Sequence, residues 1–117
     1  NDKQQAINDS RPTVAAYAGI DVYESIFEAH GYLKEARVCQ EATKRQSDVM
    51  SVVDQVPDEM VEAFVSCGSV DEVLEKIEPY WNVADSLCPM TPYHHLTMEQ
   101  LQFYGAGVYQ LVTQASR

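Results

Sequence analysis

The chain of 117 residues has no long apolar run, because charged and polar residues interrupt every hydrophobic stretch. A helix needs roughly 18 to 20 consecutive apolar residues to cross a bilayer, so we predict neither a membrane span nor a membrane partner. The start, NDKQQAINDS, is polar and lacks the apolar segment of a secretory signal peptide. We therefore expect no export signal.

Cysteine is scarce, with three residues (Cys39, Cys67 and Cys88) and no CxxC spacing. An odd number of cysteines without a secretion signal is typical of free thiols in a reducing compartment, and we predict a cytoplasmic protein. Cys67 and Cys88 have apolar neighbours in the sequence. We therefore interpret both as small core residues rather than nucleophiles.

Basic residues are also few. Eight lysines and arginines stand against 18 aspartates and glutamates, which gives a net charge of −10. Residues 54–78 hold eight acidic side chains and a single basic one, Lys76. Because such a surface repels phosphate backbones, we predict no nucleic-acid partner. Blocks of acidic residues usually form a solvated helix surface, and we interpret this stretch in that way.

The short motifs of common enzymes are missing as well: GxGxxG, the Walker motif, GxSxG and HExxH. His94 and His95 are adjacent, and neighbouring residues do not share a face of a helix or strand, so we do not expect them to ligate one metal ion. No metal site is predicted. His30 is interpreted as a cation at a helix end. From the residues alone, the catalytic groups are unknown.

What the sequence does contain is helical periodicity. Pro12 predicts the first position of a helix, and Gly31 predicts the left-handed stop of the next one. Residues 32–46 hold good helix formers. Valines at spacings of three and four predict a further helix over residues 47–56, and Pro57 predicts the start of a short one.

Two capping boxes, Ser69 with Glu72 and Thr97 with Gln100, predict the starts of two more helices. Each is followed by apolar residues at helical spacing. We predict that these two faces pack together and are a main source of stability. The residues are Val70, Leu74, Ile77 and Trp81 on one helix, and Leu101, Tyr104, Val108 and Leu111 on the other. Replacing Leu74 with alanine is then expected to destabilise the fold by about 2 to 5 kcal/mol.

Between these helices, the segment VADSLCP is too short for a globular helix and ends at Pro89. It predicts a strand over residues 83–88, and MTPYHHL after it predicts a loop. We expect residues 1–117 to form a single domain. Its predicted class is mainly α, with helices and one or two short strands.

Two stretches, DEMVEAF at residues 58–64 and GSVDEV at residues 68–73, carry a resemblance to a known family. Together with RPTVAAYAGIDVYESIFEAHGY at residues 11–32, they resemble the C-terminal part of luciferase-like oxidoreductases. This family includes flavin-dependent monooxygenases and enzymes that use a deazaflavin coenzyme. The resemblance implies that the chain is the C-terminal portion of an eight-stranded β/α (TIM) barrel.

The resemblance also implies a cofactor, FMN or the deazaflavin coenzyme, and a small-molecule substrate in the intact enzyme. Most catalytic groups would come from earlier strands, so the fragment alone would be inactive and would bind no cofactor. Active sites of such barrels lie at the carboxyl ends of the strands. The resemblance thereby places Met90, Tyr93 and His94 at the rim of the cofactor or substrate pocket.

An alternative of a different class stays open. The apolar helical faces outnumber the strands that could cover them, and exposed apolar patches are typical of partner surfaces. The chain would then be a stand-alone, non-enzymatic helical module that associates with itself. Under either hypothesis we expect a homo-oligomer.

Overall fold

The computed structural model describes residues 2–115, and within that range every regular element is helical. The α-helices are α1 (Lys3–Ala18), α2 (Glu24–Ala29), α3 (Leu33–Lys44), α4 (Asp58–Phe64), α5 (Val70–Ile77) and α6 (Met98–Ala115). Short 3₁₀ turns occupy Asp21–Tyr23, Val49–Ser51, Val53–Gln55 and Glu78–Asn82. The predicted mainly α class is confirmed. None of the described helices is long and apolar enough to span a membrane.

Helix α1 begins earlier than predicted. Asp2 caps it by accepting a hydrogen bond from the backbone N–H of Gln4 at 3.0 Å. Pro12 therefore lies inside the helix and not at its first position. A proline within a helix removes one backbone hydrogen bond. The helix continues through it because Ile7 and Val14, on either side of the proline, are both buried in the same core cluster.

The ends of the next two helices follow local signals. Gly31 adopts a φ of 85° directly after α2, as its predicted left-handed stop requires. Helix α3 covers most of the predicted stretch, 32–46. Nδ1 of His30 lies 2.8 Å from the carbonyl oxygen of Ile26, at the end of α2. The left-handed stop at Gly31 and helix α3 are confirmed. His30 lies at the helix end as predicted, and its interpretation as a cation stays a prediction.

The valine-rich stretch is not the predicted α-helix. It forms two 3₁₀ turns, Val49–Ser51 and Val53–Gln55, and Asp48 caps the first. Valine loses rotamer freedom in a helix, and Val56 leaves the helical path to reach the core, where it is almost fully buried. Tertiary burial therefore outweighs the helical spacing of the valines.

Both capping boxes are confirmed. The backbone N–H of Ser69 donates to Glu72 at 2.7 Å, and that of Glu72 donates to the Ser69 hydroxyl at 3.3 Å. Thr97 and Gln100 make the same pair of bonds at 2.8 and 3.2 Å. Each box satisfies two backbone donors that a helix start leaves free. Helices α5 and α6 therefore begin where the sequence predicts.

The strand predicted for residues 83–88 is wrong. No strand occurs anywhere in residues 2–115, so the segment has no neighbour to pair with. A lone strand would leave its backbone donors and acceptors unpaired. The segment instead runs as an irregular surface chain, with 84% of Val83 exposed. The predicted loop that follows it is confirmed.

The core lies mainly among α1 to α4, whereas the sequence predicted the α5–α6 pair as a main source of stability. Its buried residues are Ile7, Val14, Ala15, Ala18, Phe27, Ala36, Cys39, Val56, Met60, Val61 and Cys67. Helices α5 and α6 do pack side by side. Of the eight residues named for their interface, however, only Leu111 is buried, and none joins the main cluster. The other seven side chains stay partly exposed because the apolar faces of α5 and α6 border a cavity.

Polar contacts also tie α1 to α4. Arg11 donates to the Asp58 carboxylate and to the backbone carbonyl of Val56. This hydrogen bond from Arg11 holds the pKa of Asp58 below its usual value. Lys3 and Glu62 form a second ion pair at 2.7 Å. The acidic stretch is thus partly engaged by cations of α1, rather than wholly solvated.

Candidate functional site

A cavity of about 970 Å³ lies between the two parts of the fold. Helices α1 and α2 form one side, α5 and α6 form the other, and residues 85–93 run along its edge. Its volume is near the upper end of the range for small-molecule sites, roughly 300 to 1,000 Å³. This is the candidate functional site.

The walls of the cavity are apolar. Val14 and Phe27 belong to the α1–α2 side, whereas Ile77 and Val108 come from α5 and α6. The same amphipathic periodicity that the sequence shows in α5 and α6 turns these side chains inward. The side chains on the two sides do not fill the space between them. Ile77 and Val108, on the α5–α6 side, therefore stay only half-buried.

A polar cluster borders the cavity, where the loop of residues 91–95 meets α1. The Thr13 hydroxyl lies 3.1 Å from Nδ1 of His94 and accepts from the backbone N–H groups of Tyr93 and His94, each at 3.4 Å. A hydroxyl can donate one hydrogen bond and accept two. Thr13 is therefore saturated, and it fixes the loop to α1.

Two phenols complete this cluster. The hydroxyls of Tyr17 and Tyr93 lie 3.5 Å apart, and this hydrogen bond is the main cause of a raised pKa at Tyr17. Thr13 and Tyr17 are four residues apart, so they share one face of α1. That spacing was visible in the sequence, but nothing local pointed to a partner loop about 80 residues away.

The structure places two of the three predicted rim residues, Met90 and Tyr93, on the cavity wall. His94 stands beside them, with its ring centroid 4.2 Å from that of Tyr93. Partial burial, and then the neighbouring His95, lower the pKa of His94. The lowered pKa favours the neutral ring, whose Nδ1 can accept the Thr13 hydroxyl hydrogen.

Asp9 makes a second link between α1 and α6. Its carboxylate accepts from the Tyr104 hydroxyl at 2.5 Å, from Gln100 Nε2 at 3.3 Å and from Gln5 Nε2 at 2.7 Å. Burial, and then the carboxylate of Asp9, raise the pKa of Tyr104 far above its ordinary value. The Tyr104 hydroxyl is thus a fixed donor at the wall of the cavity. Sequence analysis missed this pair.

Two cysteines also line the cavity. Cys67 is buried, with Sγ 3.9 Å from the Ser10 hydroxyl, and burial raises the pKa of its thiol. Its predicted place in the core is confirmed. Cys88 is exposed, so its predicted core position is wrong. The irregular path of residues 83–88 keeps Cys88 at the surface, whereas Cys67 follows α4 into the core.

The lining carries no cation. Asp85 is its sole charged residue among those that the structure describes. FMN and the deazaflavin coenzyme both carry phosphate, which needs lysine, arginine or free backbone N–H groups. At the N-terminus of α5, the capping box of Ser69 and Glu72 engages two backbone N–H groups and places the Glu72 carboxylate there, which disfavours an anion. This cavity therefore does not fit the phosphate of either cofactor.

The described residues form no metal site either. Within residues 2–115, no group of three or more His, Cys, Asp and Glu side chains could hold a metal ion. His95 instead pairs with Asp48 at 3.2 Å. The ligands of a metal ion must converge on one point. The His, Cys, Asp and Glu side chains of the described residues do not converge in this way.

The chain was also compared with known proteins. No protein-family model, no curated protein and no solved structure matches it. The likeness to luciferase-like oxidoreductases consequently remains a prediction, carried by residues 11–32, 58–64 and 68–73.

Proposed function

We propose that the chain is the C-terminal part of a luciferase-like, flavin- or deazaflavin-dependent oxidoreductase, in which it forms one wall of the substrate pocket. The observation that carries the proposal is the position of Met90 and Tyr93 on the cavity wall, with His94 beside them. These are the residues that the family resemblance assigns to the pocket rim. The cavity itself has the size of a small-molecule site.

In this proposal the chain does not perform the redox step. The described lining of its cavity offers no cation for a cofactor phosphate, so the cofactor would be held by the other part of the enzyme. His94 has its Nδ1 engaged by Thr13, and the Thr13 hydroxyl in turn accepts from the backbone N–H groups of Tyr93 and His94. What these residues can do is orient a substrate and exclude water from one side of it.

The proposal predicts a difference between the isolated chain and the full-length protein. Residues 1–117 alone should show no saturable change in FMN fluorescence, because the phosphate finds no cation in the cavity. The reading frame that encodes the chain should specify a barrel of about 250 residues or more. That longer protein should bind FMN or the deazaflavin coenzyme. One-to-one binding of FMN to the isolated chain, or a full-length protein that binds neither cofactor, would contradict the proposal.

A second candidate is a self-associating helical module, and a specific feature of α6 favours it. Met98, Gly105 and Tyr109 lie on one face of this helix, and Met98 and Tyr109 are 69% and 74% exposed. A side chain added at Gly105 would meet no atom within 4 Å. The helix, Met98–Ala115, holds only one charged residue, Glu99. Two copies with a net charge of −10 each could approach through this face without bringing acidic residues together.

We predict that Tyr109→Lys makes the chain monomeric. A buried lysine without a partner is costly, so two copies of this face should no longer associate. Gln110→Lys is the matched control, because it changes the net charge equally at an exposed position one residue away, on another face of α6. Sedimentation equilibrium should show a dimer for the wild type and for the control. A monomeric wild type, or two variants that behave alike, would remove this candidate.

A further inference from the structure

We infer that the cavity between α1–α2 and α5–α6 binds a ring-containing small molecule that carries no negative charge and has one acceptor oxygen, such as a ketone or an ether. The inference deepens the proposed function and rests on it for the idea that Met90 and Tyr93 border a ligand site. The chemical class of the ligand comes from the lining of the cavity alone.

The absence of negative charge in the ligand follows from the lining. Its described residues hold a single charged side chain, Asp85, and no cation. Burying an anion beside apolar walls and a carboxylate would cost several kcal/mol without a partner to offset it. The negative charge of the whole chain also repels an anionic ligand. Anionic ligands are thereby disfavoured at both long and short range.

The preference for rings follows from the aromatic content. Eight of the 11 Phe, Tyr and Trp residues in the chain line this one cavity. Aromatic side chains favour offset or edge contacts with a ring by about 0.5 to 1.5 kcal/mol beyond simple burial. They reach the cavity from both of its sides, for example Tyr17 from α1 and Tyr80 from the turn after α5. A flat ring system would therefore find aromatic partners on two faces.

The acceptor oxygen follows from the two phenols. Tyr17 and Tyr93 share one hydrogen bond, at 3.5 Å, although either hydroxyl can donate it. A pair of phenols carries two hydroxyl hydrogens, and one bond between them uses one. The second can be donated to a carbonyl or ether oxygen of a ligand. Both tyrosines line the cavity, so this donor stands where the ligand would lie.

The concave form of the site argues for a small molecule rather than a second copy of the chain. Elements of one chain enclose it on both sides, and residues 85–93 bound its edge. Small-molecule sites are concave, mostly apolar and equipped with a few polar groups. The exposed face of α6, by contrast, carries Met98, Gly105 and Tyr109 outside the cavity.

The test uses two fluorescent dyes and two glycine variants of α6. Prodan is an uncharged naphthyl ketone, and 8-anilinonaphthalene-1-sulfonate is an anionic ring compound of similar size. Gly107 lines the cavity and Gly105 does not, although at both positions an added side chain would meet open space. Replacing either glycine with leucine raises helix propensity, so neither variant should unfold. Circular dichroism melts would verify this.

We expect prodan to bind the wild type saturably, with one-to-one stoichiometry and at least about tenfold more tightly than the sulfonate, which corresponds to about 1.4 kcal/mol. Gly107→Leu should weaken prodan binding by at least about tenfold, because the leucine occupies the cavity, and Gly105→Leu should leave it unchanged. The double variant Tyr17→Phe/Tyr93→Phe should weaken it by about fivefold, the effect of one hydrogen bond.

Equal binding of the two dyes would overturn the inference, and so would prodan binding that Gly107→Leu leaves intact. Those results concern only the cavity. A full-length protein that binds neither FMN nor the deazaflavin coenzyme would instead overturn the proposed function, whatever the dyes show. The two failures are thus distinguishable.

Discussion

Replacing Phe27 with alanine should lower the free energy of unfolding by about 3 to 5 kcal/mol, the range for truncating a buried aromatic residue. Phe27 is 4% exposed and belongs to the main core cluster. Its ring centroid lies 4.5 Å from that of Phe64 in a tilted arrangement, which adds favourable aromatic contact to simple burial. Because Phe27 also lines the cavity, its loss would join new empty space to the existing one.

Urea unfolding followed by circular dichroism would measure this change. Phe103→Ala is the matched control, since Phe103 is 62% exposed on α6 and its truncation should change stability by less than about 0.5 kcal/mol. If Phe27→Ala cost no more than the control, the α1–α4 core would not be the centre of stability.

Met60→Ala is the second large effect, with an expected loss of about 2 to 5 kcal/mol. Met60 has an exposed fraction of 0% and is among the largest fully buried side chains in the described residues. It lies on α4, which packs against α1. Truncation would open a cavity where a fully enclosed site has little freedom to collapse.

Leu74→Ala provides the comparison for Met60→Ala. The sequence predicted a loss of about 2 to 5 kcal/mol for this variant, but Leu74 is only half-buried on α5 and lies outside the core cluster. Its loss should therefore stay below about 1.5 kcal/mol, since less apolar surface returns to water. Chemical denaturation of both variants under the same conditions would decide the point. Equal losses would mean that the α5–α6 pair contributes as much stability as the α1–α4 core.

The candidate site was only partly accessible from the sequence. Family resemblance pointed to Met90, Tyr93 and His94, and two of these line the cavity while the third lies beside them. Their partner Thr13 lies about 80 residues earlier in the chain. Hydrogen bonds over such separations depend on how the helices pack, and a sequence shows no period or motif for them. The Asp9–Tyr104 pair was missed for the same reason.

The sequence by itself determined the features that depend on a few neighbouring residues. Both capping boxes, the left-handed stop at Gly31 and helices α3 and α6 are set by side chains within one or two turns. The tertiary structure decided the rest. Pro12 stays inside α1 because the core holds both sides of it, and residues 83–88 form no strand because no second strand lies beside them. The cavity exists because the apolar faces of α5 and α6 do not close against α1 and α2. Burial and strand pairing are properties of distant residues brought together, so local patterns cannot fix them.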